Sequence, residues 1–116
     1  MDSEVFLDTA YVIALANAKD QFHEKAVTAA KQLRTYKTKL VTTRAVLLEI
    51  GNALSSQRFR TAAVKLLDAL EADPTVGIVT VTDGLYNQAF DLYRTRPDKE
   101  WGLVDCLSLL LCRNAN

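Results

Sequence analysis

Short apolar, β-branched runs alternate with stretches of helical periodicity along the whole of this chain, and that alternation allows few folds. Val5-Phe6-Leu7 is an apolar run ending at Asp8, and Tyr11-Val12-Ile13-Ala14-Leu15 begins a compact helix. From Asp20 to about Lys37, the residues Phe22, Ala26, Ala29, Ala30 and Leu33 share one helical face with charges opposite. Lys39 to Thr42 reads as a second strand entering a helix from Thr43 to about Ser55. A further amphipathic helix runs from about Arg60 to Glu71, through Ala63, Leu66, Leu67 and Leu70. Asp73-Pro74 signals a turn, and Val76-Gly77-Ile78-Val79-Thr80-Val81 has the β-branched content of a third strand. Thr82 or Asp83 can cap the next helix, where Tyr86, Ala89, Phe90 and Tyr93 recur at i, i+3, i+4 and i+7. A polar stretch from Thr95 to Gly102 precedes a last helix from Leu103. Strands separated by helices require crossover connections. The expected fold is therefore α/β, a parallel sheet flanked by helices on both faces.

A chain of 116 residues holds one such domain, and the whole of 1–116 is assigned to it. Hydrophobic residues at 49% and charged residues at 24% match an ordinary globular protein, which argues against a disordered or fibrous class. No apolar run approaches the roughly 20 residues of a membrane span. The start, Met1-Asp2-Ser3-Glu4, is acidic where a secretory or mitochondrial leader is basic, so the expected location is the cytoplasm. Fourteen basic residues balance 14 acidic ones, so a nucleic-acid partner would need local patches in place of a bulk field. Cys106 and Cys112 stand six residues apart in one helix, about 9 Å along its axis, too far for a disulfide. Both are expected as buried thiols. With one histidine, His23, remote from them in sequence, a zinc site has little support.

Three carboxylates stand where carboxylates are unusual. Asp8 ends the first strand, and ligands of open parallel sheets bind beyond the carboxyl ends of strands; the alternative is that it caps the next helix. On the helix through Val46, Leu47, Ile50, Ala53 and Leu54, Glu49 falls near the edge of the apolar arc, beside Ala45, Asn52 and Ala53. Small and polar companions suit an opening in the surface; the alternative is a boundary glutamate with its head in water. Asp105 lies in the first turn of a helix, Leu103 to Cys112, that is apolar nearly all round and so expected to be buried. A carboxylate there needs a partner, a hydrogen bond or a cation, and Ser108 and Cys112 share its stripe. Several oxygen ligands without Cys or His suit Mg²⁺ or Mn²⁺. Such an ion can activate water and steady the charge building on a phosphodiester oxygen.

The residues Phe6-Leu7-Asp8-Thr9-Ala10 with Val12-Ile13-Ala14-Leu15, then Thr42-Thr43 leading to Leu48-Glu49-Ile50, then Asp98-Lys99-Glu100-Trp101-Gly102-Leu103-Val104-Asp105-Cys106, resemble PIN-domain toxins of the VapC type. Their order and spacing match along essentially the whole chain. The resemblance implies a metal-dependent endoribonuclease with Asp8, Glu49 and Asp105 as acidic metal-site positions, an RNA substrate, a protein antitoxin that blocks the site, and a homodimer. Two departures stand out. Many relatives have Ser or Thr just before the third acid, where this chain has Gly102 and Val104. Relatives usually continue to a further strand and a fourth acid, where this sequence ends at Arg113-Asn114-Ala115-Asn116. Asp98 or Glu100 is the substitute ligand to consider, against an ordinary solvated loop.

Arg44, Arg58, Arg60, Arg94, Arg96 and Lys99 can contact phosphates or be plain surface. Trp101 and Tyr11 can stack on a base or close the core. His23 is given no catalytic role. The rival to a ribonuclease is a non-catalytic PIN-like protein that binds an antitoxin or RNA without cleaving it. A metal-dependent phosphatase or other α/β hydrolase comes last, because no nucleophile elbow or phosphate-cradling glycine loop is present.

Overall fold

Three strands, β1 (Glu4–Phe6), β2 (Lys39–Thr43) and β3 (Val76–Val79), lie side by side in that order and run parallel. The structure, a computed structural model, describes residues 4–114, with the side chains of 113 and 114 left out. The acidic start at Met1-Asp2-Ser3 and the chain end at Ala115-Asn116 lie outside the described residues. Val5 pairs with Leu40 and Leu40 with Val76, while Phe6 pairs with Val41 and Val41 with Gly77. Parallel neighbours need long connections, and helix pairs supply them. Helices α1 (Thr9–Ala16) and α2 (His23–Thr35) join β1 to β2; α3 (Arg44–Ala53) and α4 (Gln57–Ala72) join β2 to β3. Helices α5 (Asp83–Thr95) and α6 (Leu103–Asn114) follow the last strand.

Because the strands are parallel, their carboxyl ends share one edge, and α1, α3 and α5 all start there. Each start presents N–H groups with no partner inside its helix. Asp8 Oδ1 accepts from the Tyr11 N–H at 2.8 Å, Thr43 Oγ1 from Val46 at 3.1 Å, and Thr82 Oγ1 from Leu85 at 3.1 Å. Thr42, fully buried, donates its hydroxyl to the Leu7 carbonyl at 3.3 Å and so ties β2 to the end of β1. Below this edge Leu7, Val12, Val46, Leu47, Ile50, Leu54, Ala63 and Leu70 form the larger core. A smaller cluster, Ala89, Cys106 and Leu107, joins α5 to α6. His23 Nδ1 lies 2.8 Å from the Ala14 carbonyl, and the half-buried Tyr11 donates to the Ala26 carbonyl at 3.4 Å. Both therefore hold α1 to α2.

Several expectations are corrected. Asp20 accepts from the Phe22 N–H through its side chain and from His23 through its carbonyl, so a turn delays α2 to His23. Phe22 is consequently 53% exposed and does not join the buried face. Strand β3 stops at Val79, whose partner Thr43 is where β2 gives way to α3, so among the described residues no strand lies beside Thr80 and Val81. Helix α6 is not buried throughout. Among its described side chains only Cys106 and Leu107 are buried, and both Asp105 and Cys112 are exposed.

Thr43 has a fully buried side chain that caps α3. Thr43→Val keeps the volume and removes the cap, so we expect a loss of about 1 kcal/mol of unfolding free energy. Urea titration should show a lower midpoint at unchanged slope, with Thr43→Ser falling clearly closer to wild type.

Candidate active site

The first two acids are brought together by a residue between them. Asp8 is the N-cap of α1, and Thr9, the first residue of that helix, donates its hydroxyl to Glu49 Oε1 at 2.8 Å. Glu49 lies in the second turn of α3, so this bond joins the start of one helix to the side of the other across 40 residues of sequence. Thr9 stands in the Phe6-Leu7-Asp8-Thr9-Ala10 segment, and no local pattern marks it as a partner of Glu49. Its one signal was a hydroxyl directly after an acid at a strand end.

The third acid is held differently. Gly102 precedes α6, its carbonyl accepts from the Cys106 N–H at 3.1 Å, and its own N–H donates to Asp105 Oδ2 at 2.8 Å. An acid three residues into a helix reaching back to the cap N–H is half of a capping box. With glycine at the cap, the half that a Ser or Thr hydroxyl would supply is missing. The first turn of α6 borders α3: Val104 packs against the larger core, and Ala45 of α3 packs against the smaller one. Burial first, and the Asp105 charge second, push the Cys106 thiol up.

A common arrangement emerges from the three. Asp8 commits Oδ1 to its cap, Glu49 commits Oε1 to Thr9, and Asp105 commits Oδ2 to Gly102. Each is exposed and is oriented through one oxygen, and the other oxygen accepts no hydrogen bond from the described residues. Asp98 is placed elsewhere. Its two oxygens accept from Arg96 Nε and Nη2 at 3.0 and 2.9 Å, and that guanidinium holds its carboxyl below the usual range. Arg44 pairs with Glu71, and Glu100 is exposed on the loop before α6.

The model of the PIN domain matches residues 5–116. The chain belongs to the PIN-domain family. No curated protein matches it. Among solved structures it is similar to VapC20 of Mycobacterium tuberculosis, described as a sarcin-ricin loop cleaving toxin. The two share 29% sequence identity and a TM-score of 0.81, over 97% of this chain and 83% of that one. The expected fold class and the resemblance to VapC-type PIN domains are thereby borne out.

PIN-domain nucleases generally use divalent metals, and the residues present can be tested for one. The donor chemistry fits: three carboxylates, each with an oxygen to spare, suit a hard cation such as Mg²⁺ or Mn²⁺. The spacing is wider than a closed site. Among the described residues no three His, Cys, Asp or Glu side chains come close enough to hold an ion. Asp8 and Glu49 are linked through Thr9, and Asp105 stands on its own cap.

The two thiols of this PIN domain should separate cleanly. A maleimide is expected to label the exposed Cys112 in the native protein and to reach Cys106 only in denaturant, as peptide mass spectrometry would show. Because Cys106 is fully buried whatever stands at position 105, Asp105→Asn should leave it unlabelled.

Proposed function

We propose that this PIN-domain protein is a metal-dependent endoribonuclease, the toxin of a type II toxin–antitoxin pair, with Asp8, Glu49 and Asp105 as its working acids. The observation that carries the reading is the Thr9–Glu49 hydrogen bond, which sets Glu49 beside the helix start that Asp8 caps. The likeness to the VapC20 toxin supports the same reading. Asp8, Glu49 and Asp105 would hold Mg²⁺ or Mn²⁺ through their uncommitted oxygens. When bound, the ion supplies an activated water and stabilises charge building on the phosphodiester. The protein's own part is orientation. Thr9 fixes the Glu49 carboxylate and the Tyr11 and Gly102 N–H groups fix the other two, so little side-chain freedom is lost when substrate arrives. The positive ends of α1 and α3 favour anionic groups at the same edge.

The activated water and the stabilisation of charge on the phosphodiester would both depend on the ion, so cleavage is expected to require metal. A protein antitoxin covering these acids, a homodimer and a cytoplasmic location complete the proposal. Among the described residues no helix is long and apolar enough to cross a membrane. One observation favours a second reading, a PIN-like protein that binds RNA or an antitoxin without cleaving. It is the wide spacing of the acids, together with Gly102 where relatives have a hydroxyl.

Purified protein is expected to cut single-stranded RNA with Mn²⁺ or Mg²⁺, to stop in EDTA, and to recover when metal returns. Asp105→Asn should lower the rate on the order of 100-fold or more. Its urea midpoint should hardly move, since Asn can still accept from Gly102. Full cleavage by the variant would defeat the assignment, and RNA binding by wild type without cleavage would favour the second reading.

A further inference from the structure

The loop between α5 and α6 and the end of α5 enclose a cavity of about 480 Å³ that none of the three acids lines. Such a volume lies in the range that takes a small ligand. Tyr93, Arg96, Lys99, Glu100, Trp101 and Gly102 are on its wall. Trp101 is half-buried, packed on one side against the Ala89–Cys106–Leu107 cluster. The Arg96 guanidinium and the Lys99 ammonium lie over its ring, 5.5 and 5.8 Å from the centre. Tyr93 is 50% exposed and meets Phe90 edge-on, with Arg94 stacked over that ring at 4.7 Å. Arg96 gives Nε and Nη2 to Asp98 and keeps Nη1. The chain as a whole has no net charge, yet here two cations and two aromatic rings face one space, with Glu100 as the lining carboxylate.

That combination suits one chemical class. Unpaired nucleotides are recognised by stacking on aromatic rings or guanidinium planes, with cations for the phosphate. A protein surface would need a larger apolar area than two rings among charges. The cavity also adjoins the proposed site, because Gly102 lines it and donates its N–H to Asp105.

We propose that this cavity is a subsite for one unpaired nucleotide of the RNA, next to the phosphodiester that is cut. The base stacks on Trp101 beside Tyr93, displacing the Lys99 ammonium from over the ring, and Lys99 and Arg96 then take the phosphate. The proposal rests on the ribonuclease reading, since it is that reading which supplies RNA as the ligand.

Trp101 is the one tryptophan in the sequence, so its fluorescence reports the subsite directly. The probe is a short single-stranded oligoribonucleotide of mixed sequence, titrated into the full chain in EDTA, with anisotropy of a labelled copy for total binding. Saturable quenching is expected, absent with the same sequence as a duplex and weakened by added salt. Tyr93→Ala and Lys99→Ala should each weaken it about fivefold or more, while Lys65→Ala, exposed on α4 and off the cavity wall, should quench like wild type. Trp101 stays in place, because it packs on the α5–α6 core. If RNA is bound or cleaved with Trp101 emission unchanged and both variants binding normally, the subsite is wrong and the ribonuclease reading stands. Quenching without cleavage in metal removes the ribonuclease reading and, with it, the subsite's place beside a cut phosphodiester, leaving a cavity that only binds RNA. Absence of both binding and cleavage overturns the two together. Emission that follows protein concentration and ignores RNA would assign the cavity to contact between copies, and so overturn the subsite.

Discussion

Parallel strands that end on one edge oblige the following helices to start on that edge, each with N–H groups that need acceptors. In this PIN domain the acceptors are Asp8, Thr43 and Thr82 at the three strand-to-helix junctions, and Asp105 at the start of α6. Two of the three candidate catalytic acids are thus capping residues. The choice between a cap and a functional acid does not arise for Asp8 and Asp105. A carboxylate has two oxygens, and one of them can serve the helix while the other serves a ligand.

The remaining acid, Glu49, is held by another route. Glu49 lies past the first turn of its helix and caps nothing. It is oriented by Thr9, the residue directly after Asp8, so two neighbouring positions of the chain fix two acids. The buried bond from Thr42 to the Leu7 carbonyl holds β2 against the end of β1 beneath them. The relative position of Asp8 and Glu49 thus follows from a strand pairing, a cap and one hydroxyl. Asp105 depends on a different assembly, the α5–α6 cluster, and is not bonded to the other two.

Much of this was legible in the sequence, for identifiable reasons. Asp8 could be found because it interrupts an apolar run at a strand end, and Thr82 because it precedes a clean helical repeat. Glu49 showed itself by its angle at the edge of the α3 stripe. The failures are equally physical. Helix α6 looked buried because Leu103 to Cys112 is apolar nearly all round apart from Asp105 and Ser108, but periodicity cannot tell how many neighbours a helix finds. It finds chiefly α5, so Asp105 and Cys112 face outward. Phe22 fitted a helical face that the Asp20 turn prevents it from joining. The Thr9–Glu49 bond and the grouping of Tyr93, Arg96, Lys99 and Trp101 around one cavity depend on tertiary placement, which no local pattern carries.

The central claim is that Asp105 acts with Glu49 on one cation although the fold holds them on separate hydrogen bonds. A double-mutant cycle on Mn²⁺ affinity, by calorimetry of wild type, Glu49→Gln, Asp105→Asn and the pair, tests it most directly. If the two acids share an ion, each single change removes most of the affinity and the double variant is little worse than either. Losses that simply add, or a folded wild type that binds no Mn²⁺, would contradict the account.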